Sequence, residues 1–351
     1  MIPYWILLFI PLWACIRSPS SPWLVWESWI IGTFLTLFIG LRHEVGGDWF
    51  NYLPYLTRAE GLSLSNVMVW GDPGYNALNW LFASQSWGIY GVNLVSAVIF
   101  SIGLVIFCRY QPRPWLALCL SIPYLVIVVA MGYSRQGVAI GLIMPGLIAL
   151  ERGRLLPFLL SMAAAASFHS TALVMLGFVL PAISGRSVLM RVLRLLILLI
   201  VSAILYYVFL AARVDGFIGG YIESEYQSEG ATIRVAMNLL PALLLISWPR
   251  RFGFTFQQLR LWRAMAFTAV ACALMLVLLP SNSTAVDRIA LYVIPLQLVI
   301  ASRLPDSRLF GTTPSQLVLF TLSFSIAVEF VWLNFAVHSS GWLPYVNVLF
   351  L

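Results

Sequence analysis

Apolar stretches of bilayer-crossing length recur from one end of this chain to the other, and they constrain its fold more than any single motif does. They fall at residues 3–16, 24–41, 76–107, 115–131, 134–150, 155–168, 170–183, 192–212, 234–249, 264–280, 286–302 and 315–336. Inside hydrocarbon each backbone N–H and C=O needs a partner from the chain itself, which a helix supplies within one segment. The predicted fold class is therefore all-α: a polytopic integral membrane protein of about twelve transmembrane helices, forming one transmembrane domain over residues 1–351. Composition closes the soluble alternative. Only 9% of the 351 residues are charged, against about 25% in an ordinary soluble domain. The 76–107 run is too long for one span and predicts an additional helix on the membrane surface, while 155–168 and 170–183 read as two spans or one broken one.

The few charges orient the chain. All 20 basic residues are Arg. With the N-terminus outside, alternate connections carry 14 of them on the cytoplasmic side. Arg42, Arg58, Arg135, Arg213, Arg234 and Arg288 remain on the outer side. Nine of the 13 acids divide the other way, which supports both termini outside. The net charge of +7 thus reflects topology; no basic patch interleaved with aromatics points to nucleic acid. The four cysteines are scattered through apolar runs and read as core residues, and residues 3–16 read as a retained first helix.

The outer side also holds most of the unusual polar residues. In the 42–75 connection Arg42, His43, Glu44 and Asp48 crowd a helix end around Gly46-Gly47, followed by Trp49, Tyr52 and Tyr55 and then by Asp72-Pro73-Gly74-Tyr75. Acids beside aromatic rings suit a carbohydrate; an interfacial aromatic belt with solvated charges has the same composition. Ser134-Arg135-Gln136 opens a later run, with Arg135 either gripping an anion or snorkelling. His169 is a lone imidazole between two runs, a base or a packing residue. Asp287-Arg288 leads to Tyr292 and reads as a local ion pair or a site. The acidic, Gly-containing 213–234 connection reads as an outer loop that contacts substrate or acts as a lid, and Glu329 lies inside the last run without a partner that the sequence identifies. No P-loop and no zinc-ligand spacing occurs, so neither a cofactor nor a metal is expected.

Six short strings in order resemble the EpsG-type exopolysaccharide polymerases, relatives of the Wzy O-antigen polymerases. They are R-x-x-V-G-x-D-x-x-x-Y at 42–52, D-P-G-Y at 72–75, R-Q-x-x-A at 135–139, H-S at 169–170, D-R-x-x-x-Y at 287–292 and W-x-P-Y at 342–345. The resemblance implies a GT-C-like architecture in the bacterial inner membrane with an active site on the periplasmic or extracellular side. It also implies a polymerase that moves a glycan from undecaprenyl pyrophosphate onto the non-reducing end of another lipid-linked repeat unit, with a chain-length regulator as a further partner. On that reading Arg135, Arg288 and Arg42 meet the pyrophosphate, and Asp48 or His169 is the base, oriented by Glu44. Gln136, Tyr52, Tyr75, Tyr292, Asp287 and Asp72 complete the substrate site. A GT-C transferase using a polyprenyl-phosphate sugar and a lipid-linked oligosaccharide flippase are the alternatives.

Overall fold

A backbone that must pair without water folds locally. The computed structural model is helical over most of the residues it describes, which are 1–18, 21–182, 188–209, 230–280 and 283–351. The first helices are α1 (Ile2–Arg17), α2 (Val25–Gly40), α3 (Trp49–Ala59), α4 (Leu64–Val67), α5 (Pro73–Ala83) and α6 (Gly88–Tyr110). Next come α7 (Pro114–Ser121), which runs on as a π-helix over Ile122–Ala130, then α8 (Ser134–Glu151) and α9 (Leu155–Phe168). Beyond these lie a 3₁₀ segment, Ser170–Phe178, and helices including Val188–Phe209, Ala231–Ser247, Phe256–Leu278, Ser283–Leu291, Ile294–Ser307 and Pro314–Phe335.

Four described helices are long and apolar enough to cross a membrane: α6, Val188–Phe209, Phe256–Leu278 and Pro314–Phe335. Ser283–Leu291 and Ile294–Ser307 pass the same test as a pair bent by 49°. Six shorter apolar helices accompany them, so this is an all-helical membrane protein in which several expected spans are short or broken. The breaks have local causes. The 76–107 run is interrupted at Ser84–Trp87, between α5 and α6. The 155–183 stretch breaks at His169, where α9 gives way to the 3₁₀ turn. The 286–302 run bends at Tyr292-Val293, just before Pro295, whose ring cannot continue a preceding helix without loss of a hydrogen bond. The 42–75 connection, expected as a loop, contains α3 and α4. Nearly all of the 213–234 connection lies outside the described residues.

The chain divides into two compact units, one of Met1–Pro145, Ser167–His169 and Val318–Leu351, the other of Gly146–Ala166 and Ser170–Leu317. In the first, α2 packs on α6 and α1 on α7. Gly103 of α6 faces Gly141 of α8 so closely that a Cβ on either would strike the other helix's backbone, the small-residue contact that lets membrane helices approach. In the second unit, Ala231–Ser247 packs along Phe256–Leu278 and against the bent pair.

One side chain ties the ends of the first unit together. Trp342, 1% exposed, donates its indole N–H to the carbonyl of Ile127 in the π-helix at 2.7 Å, and its own carbonyl accepts from the Tyr4 hydroxyl at 2.6 Å. A long π-helix is rare and leaves carbonyls aimed off the usual ladder, which is what this indole uses. Trp342→Ala should cost about 3–5 kcal/mol of stability by the cavity it opens. A markedly lower midpoint of thermal unfolding in detergent is the expected result.

Candidate functional site

The geometry begins where α2 ends. Past Gly40 the chain enters an irregular segment held by backbone bonds to distant residues. Arg42 forms an isolated antiparallel bridge with Asn347, the His43 amide donates to Val346 at 3.0 Å and the Gly46 amide to Gly341 at 2.8 Å. The Asp48 amide then donates to Gly132 at 3.3 Å. Gly46 has φ +114°, and a Cβ there would collide with the Met131 carbonyl, so only glycine fits. Glu44 has φ +52°, unusual for a residue with a side chain, and it lies beside His43, whose Nδ1 is 2.6 Å from the Tyr90 hydroxyl. The Glu44 carboxylate lies 4.0 Å from His43 Nε2.

Arg42 is 1% exposed. Its Nε donates to the Val45 carbonyl at 2.9 Å and one terminal nitrogen to Ile39 at 2.6 Å. The other terminal nitrogen reaches Ser134 Oγ at 2.9 Å and Asn93 Oδ1 at 3.3 Å. Four of the five donors an arginine carries are thus committed within the protein. Burial pushes its guanidinium down to about 10, opposed by the nearby Tyr52 and Tyr75 phenols, so it remains charged at neutral pH. The sequence placed Arg42 beside substrate; the structure gives it the ends of three segments to hold.

Arg135, in the first turn of α8, sits differently. Its guanidinium carbon lies 5.9, 5.4 and 6.0 Å from the ring centres of Tyr52, Tyr55 and Tyr75, and one terminal nitrogen is 3.1 Å from Asp72 Oδ2. The Arg135 side chain is 31% exposed, whereas Asp72 is buried. Two buried polar atoms in this cage, Arg135 Nε and the Tyr75 hydroxyl, have no hydrogen-bond partner in the protein. Burial holds the Tyr52 and Tyr75 phenols protonated well above the usual tyrosine range, with Asp48 adding to the effect at Tyr52. Asp48 is half-buried; its oxygens accept from Asn51 Nδ2 at 3.2 Å and from the Tyr52 hydroxyl at 3.4 Å.

Why the cage forms is visible in its supports. Asp72 occupies the N-cap position of α5 and Pro73 its first turn, which sets Tyr75 inward. Trp49, Tyr52 and Tyr75 form a buried cluster with Ile89 and Val92 of α6, and Phe168 packs against it. Gly74 lies against Ser167 and Phe168 with no room for a Cβ, which brings buried His169 into the same unit as this corner. Gln136 is buried at the start of α8.

The remaining predicted residues lie in the second unit. Asp287, read from the sequence as a local ion pair with Arg288 or a site, is gripped by Arg234 through two bonds, Nε to Oδ1 at 2.6 Å and a terminal nitrogen to Oδ2 at 2.7 Å. Asn238 donates to the Ala290 carbonyl at 2.8 Å and accepts from Gln297 at 2.7 Å, and the Tyr292 hydroxyl lies 2.9 Å from Thr171 Oγ1. Half-buried Arg288 rides on the short helix that these bonds fix. Sequence reasoning missed Asn93, Tyr90, Arg234 and Asn238 as parts of these networks. Single amides and a phenol inside apolar runs were the available signals.

Arg234→Leu should cost about 3–5 kcal/mol, because it removes the bidentate cation from the buried Asp287 carboxylate. The double variant Arg234→Leu/Asp287→Leu should recover much of that loss in thermal unfolding.

Compared with known proteins, residues 26–347 match a family model described as the EpsG family. No curated protein and no solved structure matches the chain.

Proposed function

The chain belongs to the EpsG family, and from that premise we propose that it is a membrane polysaccharide polymerase acting on lipid-linked glycans. The donor is an oligosaccharide on undecaprenyl pyrophosphate, and the acceptor is the non-reducing end of another lipid-linked repeat unit. The observation that carries this reading is the Arg135 cage. It combines a partly open guanidinium, two buried donors without a protein partner, and a carboxylate, Asp48, hydrogen-bonded to a tyrosine of the same cage.

The chemistry follows from those atoms. When the acceptor hydroxyl attacks the anomeric carbon, the anomeric C–O bond breaks and its electron pair leaves on the lipid pyrophosphate. Negative charge therefore grows on phosphate oxygens, and a fixed guanidinium stabilises it more in the transition state than in the ground state. Asp72 holds one edge of the guanidinium and three rings fix its plane, so the fork is set before substrate arrives. The acceptor's proton passes to Asp48, with His169 as the rival base. Arg42 then acts through Ser134 as a positioning residue for the turn that carries Arg135. We place this site on the outer side of the bacterial inner membrane, in keeping with the arginine distribution.

Arg135→Lys keeps the charge but loses the fork, and polymer formation should fall by about 10²–10³-fold with membrane insertion unchanged. Wild-type polymer in that variant would remove Arg135 from the phosphate site. Asp48→Asn should abolish turnover while His169→Ala retains it; the reverse pattern would transfer the base to His169. Reconstitution with a defined lipid-linked repeat unit separates the alternatives, since a ladder marks a polymerase, one added sugar a simple transferase, and translocation without new bonds a flippase.

A further inference from the structure

The helix Pro314–Phe335 carries a carboxyl group that the proposed reaction does not use. Glu329 is 0% exposed, and neither of its oxygens has a hydrogen-bond partner in the protein. The polar residues around it follow helical spacing. Thr321, Ser325, Glu329 and Trp332 occupy one face of the helix, and Ser325 Oγ donates back to the Thr321 carbonyl at 3.1 Å. Trp332 Nε1 and the Tyr124 hydroxyl are also buried without a partner, and their rings meet edge-on with centres 6.4 Å apart. Tyr124 belongs to the π-helix, so an irregular stretch of backbone borders the same place. Among the described residues, Cys119 and Tyr4 lie within electrostatic reach of Glu329 and the Tyr124 phenol borders the same place, none of them a cation.

An unpaired ionised carboxylate in the interior of a membrane protein is among the costliest groups a fold can hold, and protonation removes that cost. A protonated carboxyl both donates and accepts, and the adjacent phenol and indole add donors of their own. Buried polar groups without a protein partner, as at Glu329, Tyr124 and Trp332, are the setting in which interior water is held. We propose that Glu329 is a proton-binding site: its carboxyl carries a proton at neutral pH and, with the Tyr124 hydroxyl and Trp332 Nε1–H, encloses bound water. The site lies one ring away from the outer segment, because Trp332 packs edge-on against Trp342 with ring centres 5.3 Å apart. Neutrality at Glu329 thus keeps uncompensated charge away from the tryptophan that closes the first unit.

Infrared spectroscopy of the purified, detergent-solubilised full chain tests this directly. A protonated-carboxyl C=O band that shifts in D₂O should be present at neutral pH in the wild type and absent in Glu329→Gln, which preserves size and neutrality and should still elute as a folded, monodisperse species. In Tyr124→Phe and Trp332→Phe the same band should move to higher frequency as a hydrogen bond is lost. Loss of an ionised-carboxylate band in Glu329→Gln, or no spectral change at all, overturns the proton site. An unmoved band in both aromatic variants overturns the shared water.

Discussion

The buried guanidinium of Arg42 organises the first unit. Arg42 enters the interior at the point where α2 ends, and its guanidinium is divided among the carbonyl of the helix it leaves, the turn that follows, the amide of Asn93 in α6 and the hydroxyl of Ser134 at the start of α8. Burying an arginine without such partners would be prohibitive. With them, the desolvation cost becomes a geometric demand: three segments far apart in sequence must converge on one planar group. Ser134 precedes Arg135, so the residue with the open guanidinium is oriented by the one whose guanidinium is closed off. The two arginines thereby differ in role through their surroundings alone.

The aromatic cage extends the same logic. Tyr52, Tyr55 and Tyr75 come from two helices that lie against each other, and their rings surround Arg135 while Asp72 takes one of its edges. Rings beside a cation supply attraction without consuming its donors. That leaves buried hydrogen-bonding capacity at Nε and at the Tyr75 hydroxyl, an arrangement suited to an anion rich in oxygen acceptors. In the second unit the equivalent investment goes the other way. Arg234 spends itself on Asp287 in a bidentate pair, fixing a helix start without offering a free fork.

Much of this was legible beforehand, for identifiable reasons. Spanning-length runs report burial in lipid, and the helices appear where those runs lie. The crowded polar residues of 42–75 and 134–136 come together because charges that topology does not require are retained for contacts. Other features were opaque. A linear string cannot distinguish Arg42, whose donors are all but committed, from Arg135, whose edge is open, because the difference lies in Asn93 and Ser134 arriving from elsewhere. Adjacency could not reveal Arg234 as a partner of Asp287, because it lies 53 positions away. The helix breaks at Ser84–Trp87 and near Tyr292 fall inside runs whose hydropathy is continuous, since hydropathy measures lipid preference and not the backbone bond pattern.

The pairing of the first and last helical regions bears on how the first unit closes. Tyr4 and Trp342 meet across 338 positions of sequence, and the segment that contains Arg42 is stitched to residues 341–348. Closing so large a loop is an entropically expensive, late event. Until residues 341–348 arrive, the segment at Arg42 lacks its backbone partners and Ile127 of the π-helix lacks the indole of Trp342. Residues 341–348 thus act as a clasp on the Arg42 segment, and the first unit keeps its closed form only while both of these distant arms are held.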